Sequence, residues 1–113
     1  MRLESKKYLH DIAHSASLAP QFVAGKGYPD YVGDALLRSA VERQLQTAGE
    51  ALAQLSRVDP ATASRFSEHE RIIAFRNILV HGYANIDDRI VWGVLDRKLP
   101  TLLHEAEMLL AES

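Results

Sequence analysis

The chain has 113 residues, a formal net charge of −2, 47% apolar residues and no cysteine. That length suits one domain, so we expect a single unit over residues 1–113. The lack of cysteine excludes disulfides, thiolate catalysis and cysteine-bound zinc. The charge excludes a broad basic surface for long nucleic acids but leaves room for a local basic cleft. No apolar run reaches the ~18 residues of a membrane span, and no apolar leader opens the chain, so we expect a soluble cytoplasmic protein.

Apolar residues recur every three or four positions through most of the chain, which predicts helices. The first apolar stripe spans residues 4–23 and ends at the segment Gly25–Asp30, where two glycines and a proline interrupt the pattern. The second stripe spans residues 37–55. We expect the helix that carries it to begin between Asp30 and Asp34 and to end before Asp59. A short helical turn is expected over residues 61–65.

The next two helices carry recognisable end signals. Ser67 and Glu70 are spaced as a capping box, which predicts a helix start there. Gly82 predicts its end, because glycine readily adopts the left-handed conformation of a helix cap. The last helical region is expected to begin at a cap on Asn85 or Asp87.

The stripe of this last region runs through Val91, Leu95, Leu99, Leu102, Ala106 and Leu109. Pro100 interrupts it and removes a backbone hydrogen bond to Asp96, so we expect a kink or two helices meeting near Lys98. No alternating strand pattern with turn signals is present. The sequence therefore predicts an all-α, up-and-down bundle of four to five helices.

Chemically useful side chains concentrate in the segment Arg76-Asn77-Ile78-Leu79-Val80-His81-Gly82-Tyr83. Arginine binds phosphate in bidentate geometry, and histidine transfers protons near neutral pH. On a helix Asn77 and His81 share a face, whereas Arg76 and His81 project about 140° apart. One chain therefore offers an incomplete site, because its arginine and histidine point in different directions. A two-fold dimer would bring two copies of the segment to one cleft. The alternative is a charged helix terminus without chemistry.

Other candidate sites have simpler interpretations. His10 and His14 have the spacing of zinc ligands on a helix. No third ligand is marked, although His69 and His104 exist, so a solvated helix face explains the pair better. The acidic pair Asp87-Asp88 suits either a cation or a helix start.

Two more segments need no ligand. Gly25-Lys26-Gly27 is too short for a phosphate loop and reads as a linker. Trp92 suits core or dimer packing better than base stacking.

The motif Arg-x4-His-x-Tyr, formed by Arg76, His81 and Tyr83, resembles the R-x4-6-H motif of the HEPN superfamily and, with its tyrosine, the HepT branch. The context is similar as well: the helix over residues 37–55 with Glu42, Arg43 and Glu50, the segment 83–92, and Leu99-Pro100 before a closing helix. The likeness covers nearly the whole chain.

The resemblance implies a HEPN-like homodimer whose motifs face a shared cleft. It implies a metal-independent ribonuclease without a cofactor, acting as the toxin of a toxin–antitoxin pair. Arg76 and His81 would be catalytic, with Asn77 supporting them. The implied partner is an MntA-like minimal nucleotidyltransferase that neutralises the toxin by adenylylating Tyr83.

A different class of function also fits these residues. The protein would then be a non-catalytic accessory subunit of a nucleotidyltransferase that binds a nucleotide or an RNA end. In that case Arg76 would hold phosphate and His81 would only donate a hydrogen bond.

Overall fold

The computed structural model describes residues 1–82 and 86–113. Within these ranges the chain is helical and has no strand, which confirms the predicted all-α class. The helices are α1 (Leu3–Phe22), α2 (Tyr28–Val32), α3 (Ala35–Val58), α4 (Pro60–Ala63), α5 (His69–His81), α6 (Asp88–Gly93) and α7 (Leu99–Ala111), with a π-helical segment at Val94–Lys98 between the last two.

The two longest helices, α1 and α3, pack side by side and form the centre of the bundle. Helix α5 lies against α3, and α7 lies against α1. The predicted stripes supply the core. Ile12, Ala16 and Ala19 of α1 are buried, as is the full stripe from Val91 to Leu109. The stripe of α3 is buried at all six of its apolar positions, which are Leu37, Val41, Leu45, Ala48, Leu52 and Leu55. The apolar face of each helix thus stabilises the bundle by burial.

Aspartate side chains cap the N-termini of three helices. Asp34 accepts a hydrogen bond from the backbone N–H of Leu37 (3.1 Å) at the start of α3. Asp59 caps α4 in the same way through Thr62, and Asp87 caps α6 through Arg89. Each carboxylate satisfies an N–H that has no partner inside its helix. The prediction for Asp87 is confirmed, whereas Asn85 lies outside the described residues.

The predicted capping box at Ser67 and Glu70 is wrong. Helix α5 begins after Glu68, and no side chain caps it. The backbone N–H and the hydroxyl of Ser67 instead donate to the carboxylate of Glu105 on α7, at 3.0 and 3.2 Å. A carboxylate accepts these hydrogen bonds more strongly than a neutral backbone partner does, so a tertiary contact replaced the local one.

The glycine-rich break after α1 contains a short helix that the sequence did not predict. Gly25 takes a positive φ of 76°, which reverses the chain direction. The backbone N–H of Gly27 donates to Asp30 (2.8 Å), and α2 follows directly. The predicted turn at 61–65 is present as α4, one residue earlier.

The predicted irregularity before Pro100 is confirmed. The N–H of Leu99 donates to Val94 O, five residues back, and this defines the π-helical segment. Trp92, just before it, packs on Tyr28 and Tyr31 with ring centroids 6.1 and 5.5 Å away, so it is a core contact as expected. None of the helices among the described residues is long and apolar enough to cross a membrane.

Candidate active site

Arg76 lies on the side of α5 that faces α3, and its side chain is only 26% exposed. The two helices approach closely here because residue 49 of α3 is glycine. A Cβ on Gly49 would lie 2.4 Å from the Cβ of Arg76, closer than two carbon atoms can approach. The missing side chain of Gly49 therefore lets the Arg76 side chain pack directly against the backbone of α3.

The guanidinium of Arg76 has partners on two sides. Its Nη2 forms an ion pair with Glu50 of α3, and its Nη1 donates to Asn77 Oδ1 at 2.9 Å. The Glu50 carboxylate is itself held, because Gln54 Nε2 donates to its Oε1 at 2.9 Å. These contacts engage two of the five guanidinium N–H donors and fix its plane.

Arg76 borders a groove of about 320 Å³ between α1, α3 and α5, which we call the Arg76 groove. Its walls carry three cations, two carboxylates, two amides, a threonine hydroxyl and one aromatic ring, that of a tyrosine. They comprise Lys7, Tyr8, Asp11, Arg43, Gln46, Thr47, Glu50, Ala51, Gln54, Arg76 and Val80. Three cations against two carboxylates give the lining a small excess of positive charge, at a place where Arg76 can meet a phosphate.

His81 does not line this groove. It is the last residue of α5 and is exposed, as is Asn77 one turn earlier. The helical spacing predicted this separation, since Arg76 and Val80 occupy one face while Asn77 and His81 occupy the next. A single chain thus brings Arg76 and Asn77 together but leaves His81 outside the groove.

The end of α5 is where the sequence placed it, but its geometry differs from the expectation. Gly82 has φ −97°, outside the left-handed region, so that part of the prediction is wrong. Its backbone N–H donates to Ile78 O at 2.7 Å, and a Cβ there would lie 2.7 Å from the same oxygen. Glycine is required by this close approach rather than by φ. Tyr83, the next residue of the motif, lies outside the described residues.

The remaining candidates do not converge. His10 and His14 are exposed on α1. Among residues 1–82 and 86–113, no three histidine or acidic side chains gather as a metal site would require. The carboxylate of Asp87 is used as the cap of α6.

Sequence reasoning missed the role of Glu50, which it named as part of the context that resembles the HepT branch. A signal was available beside it. An isolated glycine inside a strong helical pattern costs stability and usually has a packing reason. Gly49 marked the point where another helix comes close, and Glu50 follows it directly.

The family model described as Ribonuclease HepT-like matches residues 12–109. The chain belongs to the HepT-like ribonuclease family. This confirms the assignment that the motif suggested, and it confirms the enzyme class, a ribonuclease, at the level of the family.

Several proteins resemble this HepT-like chain along most of their length. "Putative RNase MJ1380" of Methanocaldococcus jannaschii is 28% identical over 91% of this chain and 94% of its own. "Probable ribonuclease HepT" of Thermococcus cleftensis is 28% identical over 96% of this chain and 98% of its own. "Putative RNase TTE0752" of Caldanaerobacter subterraneus is 28% identical over 93% of each chain. No solved structure matches this HepT-like chain significantly.

Proposed function

We propose that this HepT-like chain, as one domain over residues 1–113, cleaves RNA without a metal ion, using Arg76 and His81 with the support of Asn77. The observation that carries the proposal is the restrained Arg76 guanidinium. Held by Glu50 and Asn77, it borders a groove with two further cations, Lys7 and Arg43. A fixed guanidinium binds the non-bridging oxygens of a phosphate and stabilises the charge that builds on them during cleavage.

The chemistry follows from RNA itself, which carries its own nucleophile. The 2′-oxygen attacks the adjacent phosphorus while a base removes its proton. The bond from phosphorus to the 5′-oxygen breaks, and an acid gives that oxygen a proton. The products are a 2′,3′-cyclic phosphate and a 5′-hydroxyl. His81 serves as that base or acid, a role that typically contributes about 10²–10⁴-fold.

We propose that the active form is a homodimer. In one chain His81 lies outside the Arg76 groove, so the site of a single chain is incomplete. Ile78, between Asn77 and His81 in the sequence, is 55% exposed on α5, and Ile90 of α6 is exposed to a similar degree. Ile78 also borders an apolar groove with Phe75 and Val94, and a contiguous apolar patch of this kind favours an interface there. Ile78→Glu should give monomers by light scattering, and an unchanged dimer would place the interface elsewhere.

The same proposal extends to regulation. The chain would be the toxin of a toxin–antitoxin pair, and its partner an MntA-like nucleotidyltransferase that adenylylates Tyr83. Support comes from the R-x4-H-x-Y motif and from membership of the family. An AMP group near Arg76 would add a negative phosphodiester and bulk, which would exclude an RNA phosphate.

The deciding experiment compares cleavage of a labelled single-stranded RNA by the wild type and by His81→Ala, with and without EDTA. We expect His81→Ala to lose at least 100-fold in rate at unchanged helicity, and EDTA to have no effect. Arg76→Lys should also be slow, because lysine lacks the bidentate fork. The double variant His10→Ala, His14→Ala is the matched histidine control and should remain active.

Three outcomes would overturn the proposal. Full cleavage by His81→Ala would remove histidine from the chemistry. RNA binding without any cleavage by the wild type would favour the non-catalytic accessory subunit. Products ending in a 3′-hydroxyl would exclude attack by the 2′-oxygen.

A further inference from the structure

We propose that the Arg76 groove is a nucleoside-binding subsite, in which one RNA base stacks on Tyr8 while Arg43 and Lys7 bind the neighbouring phosphate. This inference rests on the proposed function, because it identifies the groove with the place where the RNA strand lies next to the scissile phosphate. It adds a ligand class and three residues that the R-x4-H-x-Y motif does not contain.

The size of the groove suits a single nucleotide. Its volume of about 320 Å³ is near the lower end of small-molecule pockets, which span roughly 300–1,000 Å³. A duplex is far too wide for it, so the ligand is one residue of a single strand. Single-stranded RNA can splay such a base out of the stack, and proteins usually read it that way.

Tyr8 is the aromatic residue of this lining, and it is half-buried in α1. The ammonium of Lys7 lies 4.8 Å from the centre of its ring, so an exposed side chain covers the ring face. Stacking of a base on an aromatic ring is stronger than a cation–π contact to an exposed lysine. A base can therefore displace the ammonium, which then becomes available to a phosphate.

The cations come from all three walls of the groove. Arg43 is exposed on α3, Lys7 lies on α1, and Arg76 lies on α5, so each wall of the groove contributes one positive charge. Asp11 lies 3.7 Å from Lys7, and Glu50 pairs with Arg76. Arg43 has no such acidic partner among the described residues that line the groove, which makes it the strongest candidate for a second phosphate. Gln46 and Thr47 add neutral polar groups that suit base edges or the ribose.

The test measures binding rather than cleavage. The probes are a fluorescein-labelled 2′-deoxyuridine hexamer, which lacks the 2′-nucleophile, and the same hexamer with two central abasic positions. We expect the abasic hexamer to bind the wild type about tenfold more weakly. Tyr8→Leu should lose about tenfold for the intact hexamer and should no longer distinguish the two probes. Tyr8→Phe keeps the ring and should behave as the wild type.

Controls separate this inference from loss of folding and from the proposed function. Tyr28→Leu removes an aromatic ring that packs on Trp92 instead, and it should bind both hexamers as the wild type does. His81→Ala lies outside the groove and should keep hexamer binding while losing cleavage. Arg43→Gln should weaken both hexamers equally and reduce the salt dependence of binding.

Each outcome decides between the two proposals. If Tyr8→Leu, with an unchanged melting temperature, still discriminates the hexamers, Tyr8 is not a base platform and the subsite is wrong. If the wild type binds both hexamers equally, the same conclusion follows whether or not Tyr8→Leu folds. In either case cleavage that depends on His81 would leave the proposed function intact. Base-dependent binding without His81-dependent cleavage would support the subsite and overturn the nuclease mechanism.

Discussion

Glu50 of α3 and Arg76 of α5 form an ion pair between two helices, and Gln54 holds the carboxylate from one turn further along α3. The two side chains are 41% and 26% exposed, so the pair is only partly screened by water. An ion pair this exposed adds little to stability, typically under about 1 kcal/mol. Its value is geometric, because it sets the plane in which the arginine presents its remaining donors.

Glu50→Gln should therefore lower kcat about 10- to 100-fold and change the melting temperature little, since small displacements of a catalytic group are costly to the rate. The effect should run through Arg76. In the Arg76→Lys background the same substitution should cost far less, because coupled residues are non-additive. Steady-state kinetics on the four proteins of this cycle measure the coupling.

Glu107→Gln, which removes an exposed carboxylate from α7, is the charge-matched control for Glu50→Gln. Equal losses from Glu50→Gln in both arginine backgrounds would show that Glu50 does not act through Arg76. A faster Glu50→Gln enzyme would show instead that the carboxylate competes with the substrate phosphate.

Gly49→Ala should destabilise the fold by about 1–3 kcal/mol, the usual range for overpacking. A new Cβ would lie 2.4 Å from Arg76 Cβ and 3.4 Å from the backbone oxygen of Ile72, so α5 must move away from α3. Gly93→Ala is the matched control, because its Cβ would meet nothing within 4 Å, and it should stabilise by about 0.5–1 kcal/mol. Urea denaturation followed by circular dichroism measures both. Two stabilised variants would contradict the close approach of α3 and α5.

Asp59 should make stability depend on acidic pH. The hydroxyl of Thr62 (2.7 Å), then that of the buried Ser5 (2.9 Å), lower the pKa of this carboxyl. A lowered folded-state pKa contributes stability that is present above the unfolded value of about 4 and is lost as pH falls through the folded value. Asp59→Asn should therefore lose less stability than the wild type between about pH 5 and pH 2.

Thermal melts across that pH range test the role of Asp59. Asp96→Asn, an exposed carboxylate on the π-helical segment, is the control and should follow the wild type. If Asp59→Asn loses stability as steeply as the wild type, the hydrogen bonds from Ser5 and Thr62 do not favour the charged carboxylate.

Tyr83→Phe should fold, cleave RNA and escape control by a nucleotidyltransferase. Adenylylation forms a bond from the tyrosine oxygen to the α-phosphorus of ATP and releases pyrophosphate, so phenylalanine cannot react. Intact mass after incubation with ATP, magnesium and the cognate nucleotidyltransferase should show one added AMP per modified site on the wild type and none on the variant. Tyr28→Phe is the matched control and should be modified. A Tyr83→Phe protein that is still adenylylated and silenced would place control elsewhere.

Local patterns in the sequence predicted the structural features that depend on a single helix. The stripe from Leu37 to Leu55 is buried because a 3.6-residue period aligns those side chains on one face. Asp34 and Asp87 cap helices because a carboxylate can reach the free N–H groups of its own first turn. The motif was recognised for the same reason, since its three residues lie within eight positions of the sequence.

Contacts between helices were not predictable from these patterns. Ser67 has the right neighbours for a capping box, but Glu105 arrives from α7 and takes both of its hydrogen bonds. Glu50 looks like any solvated residue until α5 places Arg76 beside it. The period and spacing of the residues show which face of a helix is polar. They do not show which residues of other helices pack against that face.

The packing of α1 between α3 and α7 has a consequence for how this nuclease is made. A ribosome releases the chain in order, at about 5–20 residues per second, so α1 appears first and α7 last. Until Leu99–Ala111 emerges, the apolar side of α1 that α7 covers stays open to water. Lys7 and Tyr8, which form one wall of the Arg76 groove, lie on this helix, which until then packs mainly against α3. A nascent chain in which α7 has not yet emerged therefore holds the groove wall on α1 mainly through α3.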